Sequence, residues 1–173
     1  LVSRISYLVS RISCLVSRRT SYVVPRGAFL PIHCASYCFL NSIQYVKLVG
    51  AQFKSHGTGT FTTKIEKPAH PLMKGFNGFE TWDETYVHHK GTNDRNILQT
   101  REGEPWTWTR EPGKGRVFYT ASGHDERVWN NPNFQNLLKK GILWAVGDSA
   151  RKRYETFLAG REPLKYEKRD NIP

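Results

Sequence analysis

A chain of 173 residues is long enough for one domain with a real core, and 38% hydrophobic and 13% aromatic residues, including five Trp, exclude a disordered polymer. The formal charge of +11 is uneven: residues 1–26 hold five Arg and no acid, residues 151–173 hold seven Lys or Arg against four acids, and only +3 is left for residues 27–150. Basic charge on the ends reads as solubilising surface, so specific nucleic-acid binding is not expected. No apolar run is long enough to cross a bilayer, and three Cys without a CxxC pair support neither a disulfide framework nor a zinc finger.

The first stretch repeats with a seven-residue period: "SRISYLV" at 3–9, "SRISCLV" at 10–16, then "SRRTSYVV" at 17–24. The repeat is short for a coiled coil, its arginines interrupt every apolar run of a would-be signal peptide, and its Ser and β-branched residues are weak helix formers. Residues 1–26 are therefore expected to be a heptad-repeat extension outside the domain, the translation of a tandem nucleotide repeat ahead of a truncated coding region. A basic amphipathic arm is the other reading.

From Gly27 the pattern becomes that of a folded domain. Phe29 to Ile32 reads as a strand ending abruptly in His33, followed by small residues. A helix is expected around Tyr45 to Leu48, broken at Gly50, with His56 beyond it in a Gly/Thr-rich loop. "GTFTTKIE" alternates as a strand does, and "KPAHPLMKGF" is loop, with Pro68 and Pro71 bracketing His70. "NILQT" and "WTWTR" read as strands, with a turn at "EPGKG" before the strand "RVFYTA". "NPNFQNLLKKGILWAV" is the best helix: Asn131 or Asn133 caps it, Pro132 suits its first turn, and Phe134, Leu137, Leu138 and Ile142 share a face. Residues 148–173 read as a polar, charged tail. The order strand, loop, helix at both ends predicts an α/β domain over residues 27–147 with mainly parallel strands, sites gathering at strand carboxyl ends. His33 and His124 both fall at such ends.

Taken in order, "FLPIHCAS", "LVGAQFKSH", "HPLMKGF", "DETYVH", "WTREPGKGRVFYTASGHDERVWNNPNF" and "LLKKGILWAVG" resemble successive segments of the trehalose-utilisation (ThuA-like) family. The resemblance implies a flavodoxin-like, class I glutamine amidotransferase-like three-layer sandwich whose N-terminal half is missing here. It also implies action on trehalose, related disaccharides or their keto derivatives. In the amidotransferase pattern a tight elbow carries a nucleophilic Cys that a later His-x-Glu activates. His124 and Glu126 keep that spacing, but the elbow presents His33 with Cys34 beside it, so glutamine hydrolysis is not expected.

Two imidazoles facing one cleft suit proton transfer or metal ligation, because imidazole titrates near neutral pH and is a common metal ligand. His33, His124 and Glu84 are the candidate catalytic residues, and His56, Tyr86 and Trp108 the candidate carbohydrate contacts. Trp106, Trp108 and Tyr119 are equally read as core, His70 as a loop histidine bonded to backbone, His88 and His89 as structural, and "GKGR" as a hairpin turn. The residues name no cofactor, and whether a metal is bound stays open beside proton transfer. The expected partner is a small carbohydrate; the alternative is a non-catalytic sugar-binding or interaction module serving a redox or carbohydrate-active partner protein, or an inactive fragment.

Overall fold

The computed structural model describes residues 27–159, so the heptad repeat and residues 160–173 lie outside it. Among the described residues seven strands form two sheets. β1 (Ala28–Phe29), β7 (Arg116–Thr120), β6 (Glu104–Arg110), β5 (Asn96–Arg101) and β3 (Lys64–Ile65) lie side by side in that order, and β2 (Gln52–Thr62) pairs with β4 (Glu80–His89) as a separate ribbon. Helix α1 (Ile43–Val49) precedes β2, a four-residue α2 (Glu126–Trp129) follows β7, and α3 (Pro132–Leu158) closes the described chain.

The expectation of mainly parallel strands is corrected. Only β1 and β7 run parallel; β7, β6, β5 and β3 are joined antiparallel, and so is the ribbon. Tight turns dictate this. Glu102 and Gly103 both take positive φ, at 50° and 86°, which is the two-residue hairpin geometry that matches strand twist, and Pro112 to Gly115 turn β6 into β7.

Alternation along the central strands sorts side chains into two layers. Trp106, Trp108, Tyr119 and Ala121 pack with Tyr45, Val49 and Tyr86 from α1 and the ribbon, while Phe118 and Leu98 pack with Leu72, Met73, Phe76 and Leu137. The sheet thus has the ribbon with α1 on one face and α3 with the 72–76 loop on the other, the three-layer α/β arrangement expected. Arg110 locks α1 in place: its guanidinium donates to the carbonyls of Lys47 and Leu48 at the helix C-terminus and forks onto Asp94 at 2.7 and 3.0 Å.

α3 begins as its sequence requires. Asn131 accepts from Asn133 and Phe134 backbone N–H groups, and Pro132 occupies the first turn. Its buried stripe runs through Phe134, Leu137, Gly141 and Ala145, and Ile142, expected on that stripe, is 48% exposed. The first part of the expected polar, charged tail is helical: Gly147 breaks the helix with φ 74°, helical turns resume to Leu158, and residues 160–173 lie outside the described chain.

Candidate functional site

The one parallel pair in the sheet builds the site. Ala28 and Phe29 lie beside Arg116 and Val117, and Ile32 bridges to Thr120, so the two strands end together and deliver His33 next to Ala121. His33 takes φ 48°, a left-handed conformation that costs a non-glycine residue about 1–2 kcal/mol. The surroundings hold it there: its carbonyl accepts from Tyr119 Oη at 3.1 Å and Ser36 Oγ at 3.2 Å, and those hydroxyls are 2.9 Å apart. Burial pushes the Tyr119 hydroxyl well above its ordinary range, which keeps it a donor.

The strained elbow aims the ring. His33 Nδ1 lies 2.7 Å from the Ala121 carbonyl, and since a carbonyl only accepts, Nδ1 carries the hydrogen. Nε2 then faces Glu84 Oε2 at 3.1 Å. The ring of Tyr86 lies against that of His33, with centroids 4.3 Å apart. Burial, then the neighbouring charge of Glu84, raises the Tyr86 hydroxyl above its ordinary range, so it stays protonated beside Glu84.

Glu84 is the hub. It comes from β4, opposite Thr58 in the ribbon, and its second oxygen, Oε1, lies 3.2 Å from His124 Nδ1 and 3.6 Å from His56 Nδ1. Three imidazoles therefore surround one carboxylate. His33 and Glu84 side chains are 7% and 14% exposed, whereas His124 and His56 are 41% and 39% exposed, so the cluster is closed at its floor and open at one side. Ligand atoms of His33, Glu84 and His124 all lie within 4.8 Å of one another.

His124 reaches the hub on a short loop after β7. Gly123, at φ 134°, lets that loop press against the elbow, where an added Cβ would sit 3.2 Å from Ile32 Cγ2 and 3.4 Å from His33 Cβ. Asp83 anchors the loop: it accepts from the backbone N–H of Gly123 at 2.9 Å, His124 at 3.1 Å and its own neighbour Glu84 at 2.9 Å. Burial pushes the Asp83 carboxyl above its ordinary value, opposed by these three N–H bonds and by the nearby His33. Trp129 adds an indole N–H to the Gly123 carbonyl at 3.0 Å.

The structure thus brings together His33, His124, Glu84 and His56, with Tyr86 behind them. His56 stands in strand β2, paired with Tyr86, rather than in the expected loop. Trp108 is not a carbohydrate contact: it has no exposed surface, stacks on Tyr119 with centroids 4.1 Å apart, and donates its N–H to the Val49 carbonyl. Glu126, spaced to serve His124, is exposed in the first turn of α2, and the carboxylate against His124 comes instead from Glu84. Cys34 and Cys38 are exposed free thiols. His70 accepts the Leu72 N–H in its loop, and the buried His88 sits between Glu104 and Tyr119. Sequence reasoning passed over Asp83 as an anchor; its signal is a second carboxylate directly beside Glu84 in β4. Among the described residues no helix is long and apolar enough to cross a membrane.

Comparison with known proteins agrees with this fold. A ThuA-like protein from Parabacteroides merdae superposes with a TM-score of 0.64 at 20% identity, over 70% of this chain and 61% of its own. A second, from Bacteroides uniformis, gives 0.58 at 19% identity over 70% and 59%, and a cytoplasmic protein from Salmonella typhimurium gives 0.57 at 14% over 72% and 57%. The chain thus spans about three fifths of the length of these structures, which share its fold. No curated protein matches the sequence. The sequence profile described as trehalose utilisation matches residues 17–145, which is most of the chain, and the protein belongs to the ThuA family.

Proposed function

We propose that the cluster is a proton-transfer site acting on trehalose, a related disaccharide or a keto derivative of one. The observation that carries this reading is the hub itself: each oxygen of Glu84 has an imidazole against it, His33 Nε2 at 3.1 Å and His124 Nδ1 at 3.2 Å. Such a set takes a proton from one atom and returns it to another, the charge being shared between the carboxylate and its imidazoles. His33 and Glu84 form the fixed floor, and His124 and His56 face the open side from which a sugar hydroxyl, or the carbon beside a carbonyl, is reached. Membership of the trehalose-utilisation family supports a sugar as the substrate class. Glutamine hydrolysis is disfavoured, because an imidazole occupies the elbow where that chemistry needs a thiolate.

The test is deuterium wash-in. The chain is incubated in D2O with a keto-disaccharide, and exchange beside the carbonyl is followed by NMR. Wild type should exchange, and His124→Ala should slow exchange by about 10²–10⁴-fold, the usual contribution of a positioned acid or base. Exchange that is absent in wild type, or equal in the two, would reject the reading.

A further inference from the structure

We infer that His33, Glu84 and His124 bind one divalent transition-metal ion, with His56 at the rim of the site. This goes beyond the proton-transfer reading and rests on donor positions rather than on the identity of the substrate.

The donor spacing is the first argument. Ligands about 2.0–2.2 Å from a tetrahedral ion stand about 3.3–3.5 Å from one another. His33 Nε2 and Glu84 Oε2 are 3.1 Å apart, and His124 Nδ1 and Glu84 Oε1 are 3.2 Å apart, so the carboxylate fork lies between two imidazoles at close to ligand-edge spacing. His56 Nδ1, at 3.6 Å from Oε1, lies 3.1 Å from the Gly57 carbonyl and so carries a hydrogen, which makes His56 a hydrogen-bond donor at the rim rather than a ligand.

The second argument is the support behind the donors. A ligating histidine has its tautomer fixed by a hydrogen bond from its other nitrogen, and the buried bond from His33 Nδ1 to the Ala121 carbonyl does this, leaving the Nε2 lone pair facing the carboxylate. Two lone pairs 3.1 Å apart repel unless a proton or a cation lies between them. Asp83 fixes the backbone of the other two donors by accepting from the N–H of both Glu84 and His124. The strain at His33 is a further sign that its ring is held for a purpose other than packing.

Donor type selects the ion. Two nitrogens to one carboxylate suit zinc, cobalt, nickel or iron over calcium or magnesium, which prefer oxygen. The open side at His124 and His56 leaves a position for water or a substrate oxygen, as in a catalytic rather than a structural site.

The experiment titrates the full chain, stripped with chelator, with Co(II) and then Zn(II), read by visible d–d absorption and calorimetry. One Co(II) per chain is expected, with bands of low-coordinate N/O ligation, displaced by Zn(II) and weakening as acid protonates the histidines. His124→Ala, at an exposed position that does not threaten the fold, and Glu84→Gln should each weaken binding at least about tenfold. His89→Ala, an exposed histidine outside the cluster, should not change it. No bands in wild type, or an affinity in His124→Ala and Glu84→Gln equal to that of wild type, would overturn the site. Deuterium wash-in by the stripped and by the Co(II)-loaded chain separates the two readings: exchange without Co(II) uptake removes the ion and leaves proton transfer, and uptake with no exchange in either form removes the sugar reading and leaves the ion.

Discussion

Asp83 holds His124 by its backbone, accepting that N–H at 3.1 Å from a position with no solvent exposure. The carboxylate has two accepting oxygens, with Gly123 on one and Glu84 and His124 on the other. An asparagine amide offers one accepting oxygen, so Asp83→Asn orphans at least one of these N–H groups, a cost of about 1–3 kcal/mol. Asn is neutral and escapes the burial penalty that raises the Asp83 carboxyl, which offsets part of that loss. The expected outcome is a net destabilisation of about 1 kcal/mol by urea unfolding, together with a displaced His124 ring signal in the NMR spectrum. An unmoved His124 signal would remove Asp83 as its anchor.

Gly123 marks where two loops meet, and its substitution separates local strain from loss of glycine in general. Gly123→Ala places a Cβ against Ile32 and His33 at φ 134°, costing about 1–2 kcal/mol and lowering the melting midpoint by roughly 2–8 °C. Gly59→Ala, in the ribbon with nothing within 4 Å of the added carbon, is the matched control and should leave the midpoint unchanged. Equal effects at the two positions would show that the elbow contact is unimportant.

The elbow and the hub were legible to different degrees. His33 and His124 stood out because each follows a β-branched or aromatic run and sits among small residues, a pattern that a strand end beside a cleft requires. Glu84 was named through the family-like segment it shares with Trp82 and Tyr86, but its place between the imidazoles was not legible, since nothing in a single sequence says which carboxylate a fold carries to which imidazole. Strand direction was misread for a related reason. The helical signals at both ends suggest crossovers, while the hairpin at Glu102 and Gly103 lacks the usual Asn-Gly or Asp-Gly cue. Trp108 looks the same in sequence whether its ring faces a sugar or Tyr119, and burial alone decides between them.

Gly141 tests the packing of α3 on the sheet. An added Cβ would stand 2.8 Å from two carbons of the Phe118 ring, a side chain with no exposure and no room to retreat. Gly141→Ala should gain helix propensity of about 1 kcal/mol and lose about 1–3 kcal/mol to overpacking. The expected net result is a lower midpoint by calorimetry, and a raised one would mean that the helix stands further from β7 than the structure places it.

The pH dependence of stability should centre on His88. Its side chain is 2% exposed, and burial holds the imidazole below its ordinary value of 6.5, against the opposing bond to Glu104. The unfolded chain therefore takes up this proton first as pH falls, so the stability His88 contributes is complete above 6.5 and is lost on acidification toward the folded value. His70 shifts the same way through burial and acts in the same window. Asp94, lowered by Arg110, and Glu104, where the bonds from His88 outweigh burial, lose their contributions further down, as pH falls below their ordinary carboxylate values. Asp83 has the opposite sign: its carboxyl is raised, so its contribution is present at low pH and lost as pH rises. Urea midpoints measured from pH 7.5 to 5.5 should fall in wild type. In His88→Gln, whose amide can bond Tyr119 and Glu104 without titrating, the fall should be shallower, with His70→Gln removing more of it. Parallel slopes in wild type and His88→Gln would mean that His88 takes its proton as readily folded as unfolded.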